Sequence, residues 1–309
     1  MRKEYVLMIL AAFIWGSGHP IGKIILREFS PSQLSFLSSV LGGAVLLLWT
    51  LLTHRTFRLF EIRGRGLILT LLSGAVMFFL YPNLSFSALR LIPASANSIL
   101  VASSTIFVAL LAVVMLREKL GIRGYLGIIV SFIGIVIVIM SRESQTLNLN
   151  ELSTVGSALA LLAAFASALY AIIGRKLSRY DAVCVTTLGA AFGSILQGLM
   201  LLASSSYEQL AHASTTTYAL IVYWGIFSGL AYVAYYYCLG KTEAAKVSSF
   251  IYLSPIFATI LSVSMLGEQI TAPFLVGFAF TLGGIWATQT SRSQRSDVSI
   301  HVVECEKKI

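Results

Sequence analysis

Residues 253–268, LSPIFATILSVSMLGE, repeat the pattern of residues 103–118, SSTIFVALLAVVMLRE, at an offset of 150. Ile-Phe and Met-Leu pairs and a final glutamate coincide in the two copies. The same offset produces further matches outside these stretches: Leu89 with Leu239, Ala94 with Ala244, Ser98 with Ser248, Gly127 with Gly277 and Gly134 with Gly284. A row of matches in one register indicates that the chain contains an internal duplication.

The duplication extends to the start of the chain. Residues 11–13, Ala-Ala-Phe, and 22–23, Gly-Lys, recur as 163–165, Ala-Ala-Phe, and 174–175, Gly-Arg, at an offset of 152. The repeat therefore divides the chain into residues 1–145, residues 146–290 and a charged tail at 291–309, which we expect to be cytoplasmic and disordered.

The composition places both copies in a membrane. Hydrophobic residues make up 57% of the 309 positions and charged residues 11%, with a mean hydropathy of +0.85. Soluble domains carry about 25% charged residues, so 22 basic and 13 acidic side chains cannot coat a globule of this size. This excludes an ordinary soluble enzyme, a disordered chain and a disulfide scaffold.

Long apolar runs predict ten transmembrane helices, because an open sheet would leave backbone groups unpaired in lipid. The predicted spans are 5–26, 31–53, 66–89, 93–116, 121–141, 154–174, 182–204, 217–239, 244–266 and 270–290. The predicted fold class is thus an all-α polytopic membrane protein. The glycine pairs 127/134 and 277/284, each spaced by seven residues, predict close helix packing.

The basic residues indicate the orientation. With the N-terminus in the cytoplasm, 18 of the 22 Lys and Arg residues fall on the inner side. We therefore expect both termini inside and a location in the inner or plasma membrane. The net charge of +9 is then mostly a topology signal, which argues against a nucleic-acid partner.

Five spans in each repeat give the second repeat the opposite orientation. Inverted repeats are typical of secondary transporters, whose substrate site lies near mid-membrane where the halves meet. Rocking one half against the other then exposes that site to each side in turn.

The residues also resemble a known family. The string Ile14-Trp15-Gly16-Ser17, followed by Lys23, is similar to the opening motif of EamA-type members of the drug/metabolite transporter superfamily. The stretch 253–257 through Leu266-Gly267-Glu268 also resembles that family, and the first repeat carries a weaker copy with Thr105 and Arg117. Over about residues 5–290, the resemblance implies two inverted five-helix repeats around a central cavity. It also implies export of amino acids or other small metabolites.

His19 is the histidine that falls inside a predicted span, and Pro20 follows it and interrupts the helix. An ionisable group in the bilayer is a functional candidate, so His19 could bind a substrate carboxylate or exchange protons. The alternative is a packing histidine bonded to a neighbour. Trp15 lies one turn earlier on the same face, where it could contact an aromatic substrate or simply fill the core.

Four further spans carry candidate polar residues. Tyr81-Pro82-Asn83 breaks the third span, which favours a binding site there, although hydrogen bonding between helices is the alternative. In the eighth span Ser228, Tyr232 and Tyr235 share one face. In the fourth and ninth spans, polar stripes face the expected cavity. They include Asn97 and Ser104 in the fourth and Ser248 and Tyr252 in the ninth.

The predicted substrate-binding set is therefore Trp15, His19, Tyr81, Asn83, Asn97, Ser104, Ser228, Tyr232, Tyr235, Ser248 and Tyr252. We predict no catalytic residues, metal site or cofactor, because the cysteines and histidines show no ligand spacing. All 13 carboxylates fall in loops or at helix ends. Glu118 and Glu268, at loop positions, are predicted to cap helix ends.

The sequence thus favours a non-enzymatic secondary transporter that exports a small organic metabolite, preferably an amino acid and aromatic. It leaves uniport, exchange or proton coupling through His19 open. Two alternatives remain: an intramembrane enzyme, which would need a buried catalytic set, and a nucleotide-sugar or drug transporter of the same superfamily. A receptor or scaffold is disfavoured, because an inverted repeat serves no evident purpose there.

Overall fold

The computed structural model describes residues 3–116, 121–141, 150–204, 213–239, 241 and 250–293, and all the regular structure within these ranges is helical. Ten main helices follow in chain order: α1 (Lys3–Ile25), α2 (Pro31–Leu52), α3 (Arg65–Leu91), α4 (Ala94–Met115), α5 (Ile122–Met140), α6 (Asn150–Lys176), α7 (Ala182–Ala203), α8 (Thr215–Leu239), α9 (Phe250–Leu266) and α10 (Ala272–Ser293).

The all-helical membrane fold predicted from the sequence is confirmed. Within the described ranges, eight helices, α1 to α8, are long and apolar enough to cross a bilayer. The apolar parts of α9 and α10, Phe250–Leu266 and Ala272–Thr288, are shorter. A single helical turn, Thr56–Leu59, lies between α2 and α3.

Local chemistry sets several helix ends. Ser30 and Gln33 form a reciprocal capping box at the start of α2, where Pro31 occupies the first turn. The Asp181 carboxylate accepts hydrogen bonds from two amides at the start of α7. Gly267 ends α9 with φ of 67°, a left-handed conformation that favours glycine.

The helices pack mainly across the two halves of the chain rather than within them. Helix α1 packs on α8 and α9, and α6 packs on α3 and α4. Helix α2 contacts α7 and α8, and α7 also contacts α3. Helices α5 and α10 pack extensively against each other.

Small residues bring α5 and α10 into close contact, as their seven-residue spacing predicts. A Cβ atom added at Gly134 would lie 2.7 Å from the Gly277 carbonyl oxygen, and one added at Gly127 would lie 2.7 Å from that of Gly284. The Ser131 hydroxyl donates to the Thr281 carbonyl oxygen at 3.0 Å. Without these glycines the two backbones could not approach so closely.

We predict that Gly134→Ala destabilises the protein, whereas Gly283→Ala does not. The added methyl group at 134 meets backbone atoms that cannot move independently, and such overpacking costs about 1–3 kcal/mol. Gly283 has open space around it, so alanine there stabilises the helix by up to about 1 kcal/mol. Thermal unfolding of both variants in detergent measures the difference, and equal midpoints would contradict this packing.

Candidate functional site: the central cavity

A cavity of about 410 Å³ lies between helices α1, α2, α3, α4, α6, α8 and α9. Its wall therefore contains helices from both halves of the chain. This volume falls in the range of small-molecule sites. Helix α1 contributes Trp15, Gly18 and His19, and α8 contributes Trp224, Ser228 and several tyrosines.

Most of the predicted site residues meet at this cavity. The members that line it are Trp15, His19, Tyr81, Ser104, Ser228, Tyr232 and Tyr235. Asn83, Asn97 and Tyr252 do not line it. Ser248 lies outside the described residues.

Sequence reasoning missed several polar and aromatic lining residues. They are Ser38 and Ser39 on α2, Phe78, Ser85 and Phe86 on α3, Ser98 on α4, Ser167 and Tyr170 on α6, Trp224 on α8 and Ser254 on α9. On α2, the serines and Gly42 recur at helical spacing along one face, a signal that the sequence does contain.

The chemistry of the wall is aromatic and hydroxylic. The Trp15 ring packs edge-on against Tyr232 and Tyr235, with ring centroids 5.5 and 6.0 Å apart. His19 supplies an imidazole. Among the described lining residues there is no carboxylate, ammonium or guanidinium group. The cavity therefore offers rings, hydroxyl groups and one imidazole to a ligand.

Asn97 lies behind the cavity wall instead of in it. Its side chain is fully buried, and its Nδ2 atom lies 3.1 Å from His19 Nδ1 and 3.4 Å from Ser85 Oγ. Regular helical spacing would place Asn97 and Ser104 on one face, but a turn at Ser103 interrupts α4. Ser98 and Ser104 both line the cavity, so the predicted stripe is corrected by one position, from Asn97 to Ser98.

Asn83 also makes a structural contact, consistent with the alternative interpretation of the α3 break. Its Nδ2 atom donates to the Phe79 carbonyl oxygen at 2.7 Å and to Gln197 Oε1 at 3.0 Å. The Asn83 amide thus joins α3 to α7, and the pair of amides lies away from the cavity.

The break itself is a π-helical turn at Ala75–Leu80, which is followed by Tyr81 and Pro82. Proline has no N–H, so the Phe78 carbonyl oxygen loses its usual partner four residues later. The Ser39 hydroxyl and Gln197 Nε2 each donate to that oxygen at 3.2 Å. Side chains from α2 and α7 therefore replace the missing backbone bond.

Tyr252 packs against a hydrophobic cluster that includes Leu100, Ile106 and Ile285, so the prediction that it faces the cavity is corrected. The reason is a 3₁₀ turn at Phe250–Tyr252. It has three residues per turn and so rotates Tyr252 relative to the α-helical part of α9, which begins at Leu253. Ser254 lines the cavity instead.

Hydrophobic packing closes one end of the cavity. This end contains the α1–α2 connection, and the basic residues predict that it faces outside; we call it the outer end. Its outer cluster comprises Ile21, Ile25, Leu26, Phe29, Leu34, Phe86, Leu89, Ala94 and Ile221. Trp224 packs against this cluster and lines the cavity. A Cβ atom at Gly18 would collide with its ring, so glycine is needed for this contact.

Charged side chains bind helix termini around the outer cluster. Glu268 accepts hydrogen bonds from the amides of Ala94 at 2.6 Å and Ser95 at 3.1 Å, which confirms that it caps a helix end. Lys23 donates to the carbonyl oxygens of Leu89 and Ile92 at 2.6 and 2.7 Å, at the end of α3. Each charge has the sign that the helix dipole favours. Glu118 lies outside the described residues.

Glu28 makes a comparable contact across the halves. The Ser214 amide, at 2.6 Å, and the Ser214 hydroxyl donate to its carboxylate and hold the pKa of Glu28 below its usual value. The contact is therefore favourable above the ordinary carboxyl pKa and weakens as the pH falls.

Ionic contacts also connect the halves at the opposite end. Arg55 and Arg58, between α2 and α3, both contact the Asp181 carboxylate, at 2.9 and 3.0 Å. Asp181 also caps α7, so one buried carboxylate joins two loops. Polar contacts between the halves thus occur at both ends of the cavity.

We predict that Gln197→Leu destabilises the protein by about 1–3 kcal/mol, because the Phe78 and Phe79 carbonyl oxygens lose a buried donor. Ser264→Ala is the control, since that exposed hydroxyl bonds only within its own helix. Chemical unfolding in detergent gives both free energies, and wild-type stability of Gln197→Leu would refute this role.

Comparison with known proteins identifies the family of this chain. The model of the EamA-like transporter family matches residues 2–140 and 154–289. An uncharacterized transporter from Archaeoglobus fulgidus is 27% identical, with 94% of this chain and 99% of the relative covered. The uncharacterized transporter YdfC from Bacillus subtilis is 26% identical, with 97% and 96% covered.

A solved crystal structure has a similar fold, with a TM-score of 0.66. It covers 95% of this chain and 98% of its own, at 17% sequence identity. The two family matches together span both halves of the chain, including every helix that lines the cavity. The protein belongs to the EamA-like transporter family.

Proposed function

We propose that this protein exports small organic metabolites, preferably aromatic amino acids, by alternating access of the central cavity. As a member of a transporter family, the chain is a multi-span membrane protein that acts on a small molecule in a lipid bilayer. The observation that carries the proposal is a cavity walled by helices of both halves and lined by rings, hydroxyl groups and an imidazole.

The helix contacts support an inverted repeat of residues 1–145 and 146–290. If each helix of the first half is exchanged with its counterpart in the second, α1 with α6 and so on to α5 with α10, the contacts are preserved. The α1 contacts with α8 and α9 become the α6 contacts with α3 and α4. The same exchange relates the α2–α8 contact to the α7–α3 contact and leaves the α5–α10 pair unchanged. A two-fold axis through the cavity would produce this pattern, and such symmetry provides two equivalent conformations.

The lining groups favour an aromatic zwitterion. Indole and phenol rings of Trp15, Tyr232 and Tyr235 can stack on a substrate ring and attract its ammonium group. His19 and the serine hydroxyls can bind its carboxylate. A nucleotide sugar carries phosphate charges, for which the described lining residues provide no ammonium or guanidinium group. An intramembrane enzyme would need a catalytic set, and the cavity offers one imidazole among neutral groups.

We predict that the purified protein in liposomes catalyses counterflow of labelled aromatic amino acids but not of nucleotide sugars. Trp15→Ala removes the ring that contacts two tyrosines. We expect the apparent affinity to fall roughly tenfold, because the variant loses about 1 kcal/mol of ring contact and some packing as well. Phe227→Ala, on an exposed face, is the control. Folded protein that accumulates none of these solutes would refute the proposed substrate class.

His19→Ala should reduce transport by roughly tenfold or more, because hydrogen bonds to charged groups contribute about 1.5–3 kcal/mol. His19→Gln retains a donor and should recover part of the activity. Initial rates in the same liposomes compare the two variants. Wild-type rates in both would assign His19 to packing.

We propose that both termini are cytoplasmic in the inner or plasma membrane. Single cysteines at Thr216 and Glu61, both exposed, test this in a background without the native cysteines. A membrane-impermeant reagent added to intact cells should label residue 216 and leave residue 61 unlabelled. The reverse pattern would invert the proposed direction of the helices.

A further inference from the structure

We propose that Asn97 is a positioning residue that holds His19 in the tautomer with its proton on Nε2. The cavity then presents an imidazole N–H donor, which selects substrates with an acceptor such as a carboxylate or carbonyl oxygen. This inference rests on the proposed function only where it treats the bound molecule as a transported substrate. The tautomer itself is a property of the protein alone.

The contact is direct and fully enclosed on the Asn97 side. The Asn97 amide nitrogen lies 3.1 Å from His19 Nδ1, and no part of its side chain is exposed. The same nitrogen lies 3.4 Å from Ser85 Oγ. The Ser85 oxygen is therefore an acceptor for the amide. Two acceptors therefore face one amide nitrogen that has two hydrogens to donate.

The orientation of the Asn97 amide follows from this count. With Nδ2 facing His19 and Ser85, both amide hydrogens are bonded and Oδ1 alone lacks a partner among the described residues. In the reversed orientation Nδ2 would take the present place of Oδ1, where its two hydrogens would have no acceptor among the described residues. A carbonyl oxygen is the less unfavourable group to leave unpaired in a protein interior.

The tautomer follows from the amide. A nitrogen that accepts a hydrogen bond carries no proton, and a neutral imidazole has one N–H, so the proton of His19 resides on Nε2. His19 lines the cavity, and within the described chain its Nε2 atom has no hydrogen-bond partner. This N–H is therefore available to a bound molecule, and its polarity is fixed before the molecule arrives.

Such a fixed donor discriminates between ligands. A carboxylate or carbonyl oxygen can accept from Nε2–H, whereas an ammonium group placed there would oppose donor to donor. The neighbouring rings of Trp15 and Tyr232 remain suited to the cationic end of a zwitterion. Asn97 thus orients the bound molecule without touching it.

The ¹⁵N NMR spectrum of histidine-labelled protein in nanodiscs tests the tautomer without any substrate. The sample carries His54→Gln, His212→Gln and His301→Gln, so that His19 is its remaining histidine. We expect an unprotonated Nδ1 and a protonated Nε2 at neutral pH. Asn97→Asp, whose carboxylate accepts, should move the proton to Nδ1, and Asn97→Leu should produce a mixture of tautomers. Asn83→Leu, an amide deletion away from the cavity, should leave the wild-type signals unchanged.

A proton on Nδ1 in the wild type, or signals unaffected by both Asn97 variants, would overturn the proposal. Size-exclusion profiles identify any variant that fails to fold, and the wild-type spectrum alone then decides the assignment. The NMR result stands whether or not the protein transports amino acids.

Transport supplies the second readout. If Asn97 acts through His19, Asn97→Asp should lower uptake about as much as His19→Ala, and the double variant should be no slower than His19→Ala alone. Multiplicative losses in the double variant would refute the positioning role. Absence of transport in the wild type would refute the proposed function while leaving the tautomer assignment to the spectrum.

Discussion

The architecture depends on one constraint: a backbone hydrogen-bonding group within a bilayer must find its partner inside the protein. Uninterrupted helices satisfy this constraint by themselves, whereas α3 does not. Its π turn and Pro82 leave the Phe78 carbonyl oxygen without its normal donor, and side chains of α2 and α7 replace it. The interruption is therefore stable only when these helices are assembled around it.

The same constraint applies at helix termini. Glu268 pairs with the first amides of α4, and Lys23 pairs with the last carbonyl oxygens of α3. Several polar groups are thus committed to backbone partners, including Asn83 and Gln197. The groups that line the cavity are aromatic rings, His19 and serine hydroxyls, several of which also donate to backbone carbonyl oxygens. This division of polar residues gives the cavity a neutral wall with one oriented imidazole.

Much of this arrangement could be predicted from residue pattern, and the misses have local causes. The α5–α10 glycines and the capping role of Glu268 follow from spacing and loop position. Ideal helical spacing places Asn97 and Tyr252 on cavity faces, but a turn at Ser103 and a 3₁₀ turn at the start of α9 disrupt that spacing. Deviations from a period of 3.6 residues are set by packing between helices, so a sequence pattern cannot locate them.

The α2 serines and Tyr170 were missed for a different reason. Small hydroxyl groups occur on packing faces and cavity faces alike, and only the assembled bundle separates the two. Serine and tyrosine at a cavity also carry no formal charge, so they lack the unfavourable transfer energy that made His19 conspicuous. The pattern does contain the duplication, which predicts opposed halves and a site between them.

The central claim is that the two halves enclose one site and rock about it. Distances between spin labels at both ends of the bundle, measured in liposomes, test it most directly. The outer pair is Arg27 with Thr216 and the inner pair is Arg63 with Arg179; all four residues are exposed, and each pair joins the two halves. The account predicts that a transported substrate shifts the two distance distributions in opposite directions, so that the outer pair lengthens as the inner pair shortens. Active protein in which both distributions stay fixed, or lengthen together, would contradict it.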